Sequence, residues 1–177
     1  MFDRDESHSG FRSGGAAAAA LLCLAIFADP VAGQPIISGN QNRAFQWALS
    51  ETARGVASKL ADSSCRQIFS DFRDPTGRTL QENLDALQQT GKDYFDGLVF
   101  YSGNGRSPCD AEDIVAFTSP GSRVLFVCEP QFLRKTHSNP GLVAAILIHE
   151  ELHSLGLGEN PPSSRAITAR VIARCGR

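Results

Sequence analysis

His149-Glu150-Glu151-Leu152-His153 has the residue types and the spacing for metal chemistry. On a helix, residues four apart stand on one face, one turn above the other. His149 and His153 placed in this way can direct two imidazole nitrogens at one divalent ion, and zinc suits that donor pair. Glu150, one position on, points to the side, where its carboxylate can hold a water and accept its proton. The pattern closes a strongly apolar run from Leu142 to Ile148. A helix that is apolar on all sides is buried in a core, and a buried carboxylate is costly unless paired. Four polar residues in five at such a place therefore ask for a chemical reason. The plainer alternative is a helix that emerges into solvent at His149.

The residues that follow extend the unit through Ser154-Leu155-Gly156-Leu157-Gly158-Glu159. Gly156 stands where a helix would stop, because glycine takes the left-handed cap conformation without a Cβ penalty. The chain can then turn back beneath the histidines and bring Glu159 to the metal. Two histidines and one glutamate form a known catalytic zinc set. No Asp or Glu follows Glu159, and His137 is the one other histidine beyond the N-terminal region, so it remains the alternative third ligand.

Written as H-E-x-x-H-x-x-G-x-x-E, the unit resembles the zincin metallopeptidases. Among them it is most similar to the metzincins, whose pattern H-E-x-x-H-x-x-G-x-x-H has a third ligand where Glu159 stands. The metzincin methionine turn has no counterpart, since the only methionine is Met1. Residues 116–128 also look like the strands ahead of the helix in deuterolysin-type aspzincins, but no Gly-Thr-x-x-His-Asp segment is present. The resemblance implies a zincin-like fold with a sheet edge beside the cleft, here within Asp113–Cys128, that pairs with substrate backbone.

Other elements must position this unit. An alanine-rich stretch from Asn42 to Ala61 carrying Phe45, Trp47, Leu49, Val56 and Leu60 reads as a helix. Thr79 followed by Glu82 is a capping box, opening a helix near Leu80–Thr90 that buries Leu80, Leu84 and Leu87 and stops at Gly91. Gly97–Tyr101 reads as a strand. Asp113–Thr118 and Arg123–Cys128 read as a hairpin around Ser119-Pro120-Gly121-Ser122. Asn139 as cap and Pro140 at the first helical position open the metal helix. Ser163 or Ser164 caps a last helix with Ile167, Val171 and Ile172 on its apolar side. The order predicts an α+β domain: a small, mostly antiparallel sheet packed on the active-site helix, with N- and C-terminal helices.

The apolar segment Ala16–Ala28, preceded by Arg4 and Arg12 and followed by Asp29-Pro30, has the length of a signal-peptide core rather than of a membrane span. Val31-Ala32-Gly33 offers small residues for cleavage, leaving one domain over residues 34–177; an uncleaved anchor or a misplaced start codon is the alternative. The segment holds more acids than bases, and its removal brings a chain of net charge −2 to formal neutrality. With no basic run, nothing points to nucleic acid. Four of the five cysteines lie beyond the leader, and an even number in an exported chain reads as two disulfides. Of the three possible pairings we expect Cys109–Cys128 with Cys65–Cys175.

The expectation is a secreted or periplasmic zinc-dependent peptidase, with zinc on His149, His153 and Glu159 activating water and Glu150 as general base. Tyr94, Tyr101 and His137 are chemically able to donate to an oxyanion, though each is more ordinary as a structural or surface residue. Glu151 reads as a solvated neighbour, or as an acceptor that orients a ligand. The rival is a secreted domain of the same shape whose zinc is structural and whose role is binding or scaffolding.

Overall fold

A computed structural model describes residues 36–38 and 42–176 of the chain. The expected leader, with its cleavage site near Gly33, lies outside the described residues. In chain order the elements are β1 (Ile36–Ser38), α1 (Arg43–Ala61), α2 (Ser63–Arg66), α3 (Ile68–Asp71), α4 (Leu80–Ala86), α5 (Gly91–Asp96), β2 (Val99–Ser102), β3 (Ala116–Phe117), β4 (Val124–Val127), α6 (Glu129–Ser138), α7 (Pro140–Ser154) and α8 (Ser164–Cys175). A single 3-10 turn at Ser107–Asp110 interrupts the loop between β2 and β3. No helix among the described residues is long and apolar enough to cross a membrane.

The class is α+β with a small mixed sheet, but the sheet is not mostly antiparallel. Its order is β1-β2-β4-β3, with β1 parallel to β2 and β2 parallel to β4. Only the hairpin pair β3–β4 is antiparallel. The reason lies in the connections. Parallel neighbours need long crossovers, and α1 to α5 supply one between β1 and β2. After β2 the chain passes to the far edge to form β3, then turns back and inserts β4 between β3 and β2. Ile36–Ser38 is too short to carry a readable alternation, and without it the hairpin dominates the sequence pattern.

One sheet face turns Phe100, Leu125 and Val127 into the core, all fully buried. There they share a single hydrophobic cluster with Phe45, Leu49 and Val56 of α1, Phe132 of α6 and the apolar face of α7. The other face carries a row of rings: Tyr101 beside Phe126, and Phe126 stacked on Phe117, with the Arg106 guanidinium 4.0 Å above the Phe126 ring.

Local signals hold where capping chemistry is specific. Asn42 caps α1, and Thr79 and Glu82 form a reciprocal capping box. Asn139 accepts from the Leu142 amide at the start of α7, and Ser163 caps α8. Three expectations change. Helix α4 ends at Ala86, with Gln88 at φ 55°, so Leu87 lies past the helix and is 48% exposed. Gly91 is not a stop but the first residue of α5, where Phe69 packs so closely that a Cβ would run into its ring. Ile172, adjacent to Val171, points away from the core and is 46% exposed.

Cys65–Cys175 and Cys109–Cys128 are both bonded, the pairing expected. Their sequence separations are 110 and 19 residues. On the chain-entropy account these loops contribute about 5 and about 3 kcal/mol. Denaturant unfolding of C65A/C175A should therefore show a larger loss than that of C109A/C128A. The reverse order would show that native-state packing, not loop closure, governs the two bonds.

Candidate metal centre

Helix α7 starts from an exposed cap at Asn139, enters the core at Val143 and is still buried at its last residue, Ser154. Val143, Leu147, Ile148 and Leu152 are fully buried, and so nearly are His149, Glu150, His153 and Ser154. The helix ends in a Schellman motif: the Gly156 amide donates to the His153 carbonyl at 2.8 Å and the Leu157 amide to the Leu152 carbonyl at 3.0 Å. Gly156 sits at φ 108°, a conformation that an L side chain resists. The turn is pinned from outside by Asn83, whose Nδ2 donates to the Leu155 carbonyl at 3.1 Å and to Asp74 at 3.0 Å. The reversed chain then carries Glu159 back over the histidines.

The result is a convergent donor set. His149, His153 and Glu159 each offer one ligand atom, and these atoms all lie within 4.8 Å of one another. His149 Nε2 is 2.8 Å from His153 Nε2, and Glu159 Oε1 is 3.7 Å and 3.6 Å from the two nitrogens. Tetrahedral zinc at about 2.0–2.1 Å from each ligand separates its donors by roughly 3.3 Å, so the triangle has the size of such a site. The chemistry of the rings also fits. His153 Nδ1 lies 2.7 Å from the Leu157 carbonyl. A carbonyl only accepts, so Nδ1 carries the proton and Nε2 keeps its lone pair for a metal. His149 Nδ1 lies 2.9 Å from Thr168 Oγ1 on α8. Burial, and then the neighbouring His153, pull the His149 imidazole down to about 4, so it is neutral near pH 7, as ligation requires. The donor set can hold a divalent cation.

Glu150 lies beside this set, facing the end of β3. Burial first and the Glu159 charge second push its carboxyl up to about 8, while the nearby Thr118 amide favours the charged form. A cation held by the three donors would offset the Glu159 charge and favour the ionised form that a base needs. The β3–β4 turn is fastened to the same helix end, since the Gly121 amide donates to the His153 carbonyl at 3.0 Å. Glu159, with its side chain 41% exposed, forms the solvent side of the cluster.

Other candidates fall elsewhere. His137 is exposed on the last turn of α6 and is not part of the cluster. The Tyr94 hydroxyl is buried and engaged with Ser154, at 2.9 Å from its carbonyl and 2.8 Å from its Oγ. Tyr101 belongs to the outer aromatic row of the sheet. Glu151 is not a solvated neighbour. It is fully buried, and neither carboxyl oxygen has a hydrogen-bond partner among the described residues, so it accepts from neither imidazole. Its place follows from the helix, where one further residue turns the side chain about 100° past Glu150 and into the core. Burial, and next the Asp96 charge, raise its carboxyl well above the carboxylate range. Three partners escaped the sequence: the Thr118 amide, the Leu157 carbonyl and the Thr168 hydroxyl. The first two are backbone groups with no residue signature, and a threonine on a helix carries none either.

No family model, curated protein or solved structure matches the chain, so the centre is read from its own geometry. Zinc content after dialysis should be near stoichiometric in H137A and strongly depleted in H149A, H153A and E159A. Full retention by E159A would remove Glu159 from the donor set. Glu151 generates a pH test. Its folded pKa is raised, so the fold favours the protonated form. That contribution is complete below the unfolded value of about 4.3 and declines as pH rises above it. E151Q, which cannot ionise, should therefore exceed the native chain in melting temperature at pH 8, with the gap closing toward pH 4. Parallel pH profiles for the two proteins would contradict the assignment.

Proposed function

We propose that the chain is an exported zinc peptidase, which hydrolyses peptide bonds at the His149–His153–Glu159 centre. The observation that carries this reading is the convergence of three donors beside a buried carboxylate that belongs to none of them. A purely structural zinc site has four protein ligands and no need of an adjacent base. Here three donors converge, and Glu150 stands next to them. Two disulfides mark an oxidising compartment and agree with export.

Zinc, when bound, lowers the pKa of water to about 7 and polarises a carbonyl. The protein's own groups do the remaining work. His153 presents a bare Nε2 because its Nδ1 proton goes to the Leu157 carbonyl, and the Thr168 hydroxyl can accept from His149 Nδ1 in the same way. Glu150 takes the proton from the attacking water at its carboxylate and hands it to the departing amine. Its burial keeps bulk water from competing for that proton. The reading resembles the zincin expectation, and the short edge strand β3 leads directly into Thr118 beside the base.

E150Q keeps the shape of the side chain and removes the base. It should retain zinc while cleavage of a broad peptide library falls by roughly 10²–10⁴-fold, the usual contribution of a general base. Cleavage that persists in E150Q, or native protein that holds zinc and cuts nothing in the library, would overturn the peptidase reading in favour of a scaffold role.

A further inference from the structure

We propose that Thr168 is a positioning residue for His149, so that the C-terminal helix α8 is a working part of the metal centre rather than packing alone. The two imidazoles gain their orientation in different ways. His153 takes its partner from Leu157, four residues on in the same turn, so that contact forms with the Schellman motif itself. His149 has no such local partner. Its Nδ1 meets Thr168 Oγ1, 19 residues away and on a different helix. The presentation of the first ligand therefore depends on where α8 sits.

The structure holds α8 firmly. Ile167 and Val171 are fully buried on either side of Thr168 in the sequence, seating the helix in the core. At its C-terminal end Cys175 is bonded to Cys65, and its carbonyl accepts from Lys59 Nζ at 2.8 Å. Arg174 forks onto Asp71 with nitrogen–oxygen distances of 2.8 and 2.9 Å. At the N-terminal end Ser163 caps the first turn. Seated in the core by Ile167 and Val171 and fastened at its C-terminal end, the helix offers one hydroxyl at a fixed point in front of His149. A histidine that ligates through Nε2 carries its proton on Nδ1 and must give it an acceptor. The Thr168 oxygen can accept there. The contact also resists rotation of the ring that would turn carbon toward the metal.

The inference rests on the metal centre proposed above, and zinc affinity separates the two. T168V keeps the shape of the side chain and removes the hydroxyl, while T168S keeps the hydroxyl. Chelator competition on the full chain should give T168V a zinc dissociation constant 10–100-fold weaker than native, the range typical for loss of a partner to a ligating histidine. T168S should stay within about threefold of native by the same reasoning. Thermal unfolding in the presence of chelator should place T168V close to native, showing that the fold survives; if T168V does not fold, T168A carries the same comparison. Unchanged affinity in the hydroxyl-free variant overturns the role of Thr168 and leaves the metal centre standing. Equal weakening in T168S also overturns it, since packing alone would then explain the loss. A native chain that binds no zinc overturns both.

Discussion

A helix buried on every side has to finish somewhere, and α7 finishes with ionisable groups while still inside the core. Desolvation of that last turn is the constraint on which the surrounding structure depends. His149, Glu150, Glu151 and His153 are all less than a tenth exposed. Each charged form is costly in that setting, so each group either stays neutral, finds a partner or serves a cation. His149 is held neutral by its surroundings, and Nδ1 of each histidine has a partner, Thr168 for His149 and Leu157 for His153. Glu150 has a backbone amide and stands beside the donor set. Glu151 has neither, and its burial favours the protonated acid.

The rest of the molecule can be understood as the means of holding that turn. Gly156 reverses the chain so that Glu159 returns to the histidines, and Asn83 ties the reversal to the loop at Asp74. The β3–β4 turn is fastened to the helix end through Gly121 and supplies Thr118 to Glu150. Helix α8 supplies Thr168. The two disulfides secure elements remote from the centre but connected to it: Cys109–Cys128 staples the long loop ahead of β3 to the start of α6, and Cys65–Cys175 locks the end of α8 against α2. A small domain with a thin sheet gains rigidity in this way where its core alone would give little.

What could be read in the sequence was whatever a few neighbouring residues decide among themselves. Capping at Thr79, Asn139 and the Ser163–Ser164 pair is such a case, as are the glycine break at Gly156 and the spacing that joins Glu159 to the two histidines. Long-range placement was harder. Strand β1 is three residues long and pairs in parallel across a crossover of five helices, so no local pattern announces it. Leu87, Gly91 and Ile172 lie beyond the reach of helical periodicity, which cannot tell where a helix ends or whether another ring already fills the space. Polarity does not place Glu151; its burial follows from its angle on the helix, not from its type. The backbone partners of Glu150 and His153 have no sequence signature at all.

The central claim is that two imidazole nitrogens and one carboxylate oxygen of this chain hold a zinc ion. X-ray absorption at the zinc edge, on native protein loaded with one equivalent, examines that claim most directly. The account predicts a shell of nitrogen and oxygen scatterers at about 2.0–2.1 Å, with the multiple-scattering pattern of two imidazoles and no sulfur. A sulfur shell near 2.3 Å, or a spectrum of hydrated zinc without imidazole features, would contradict it.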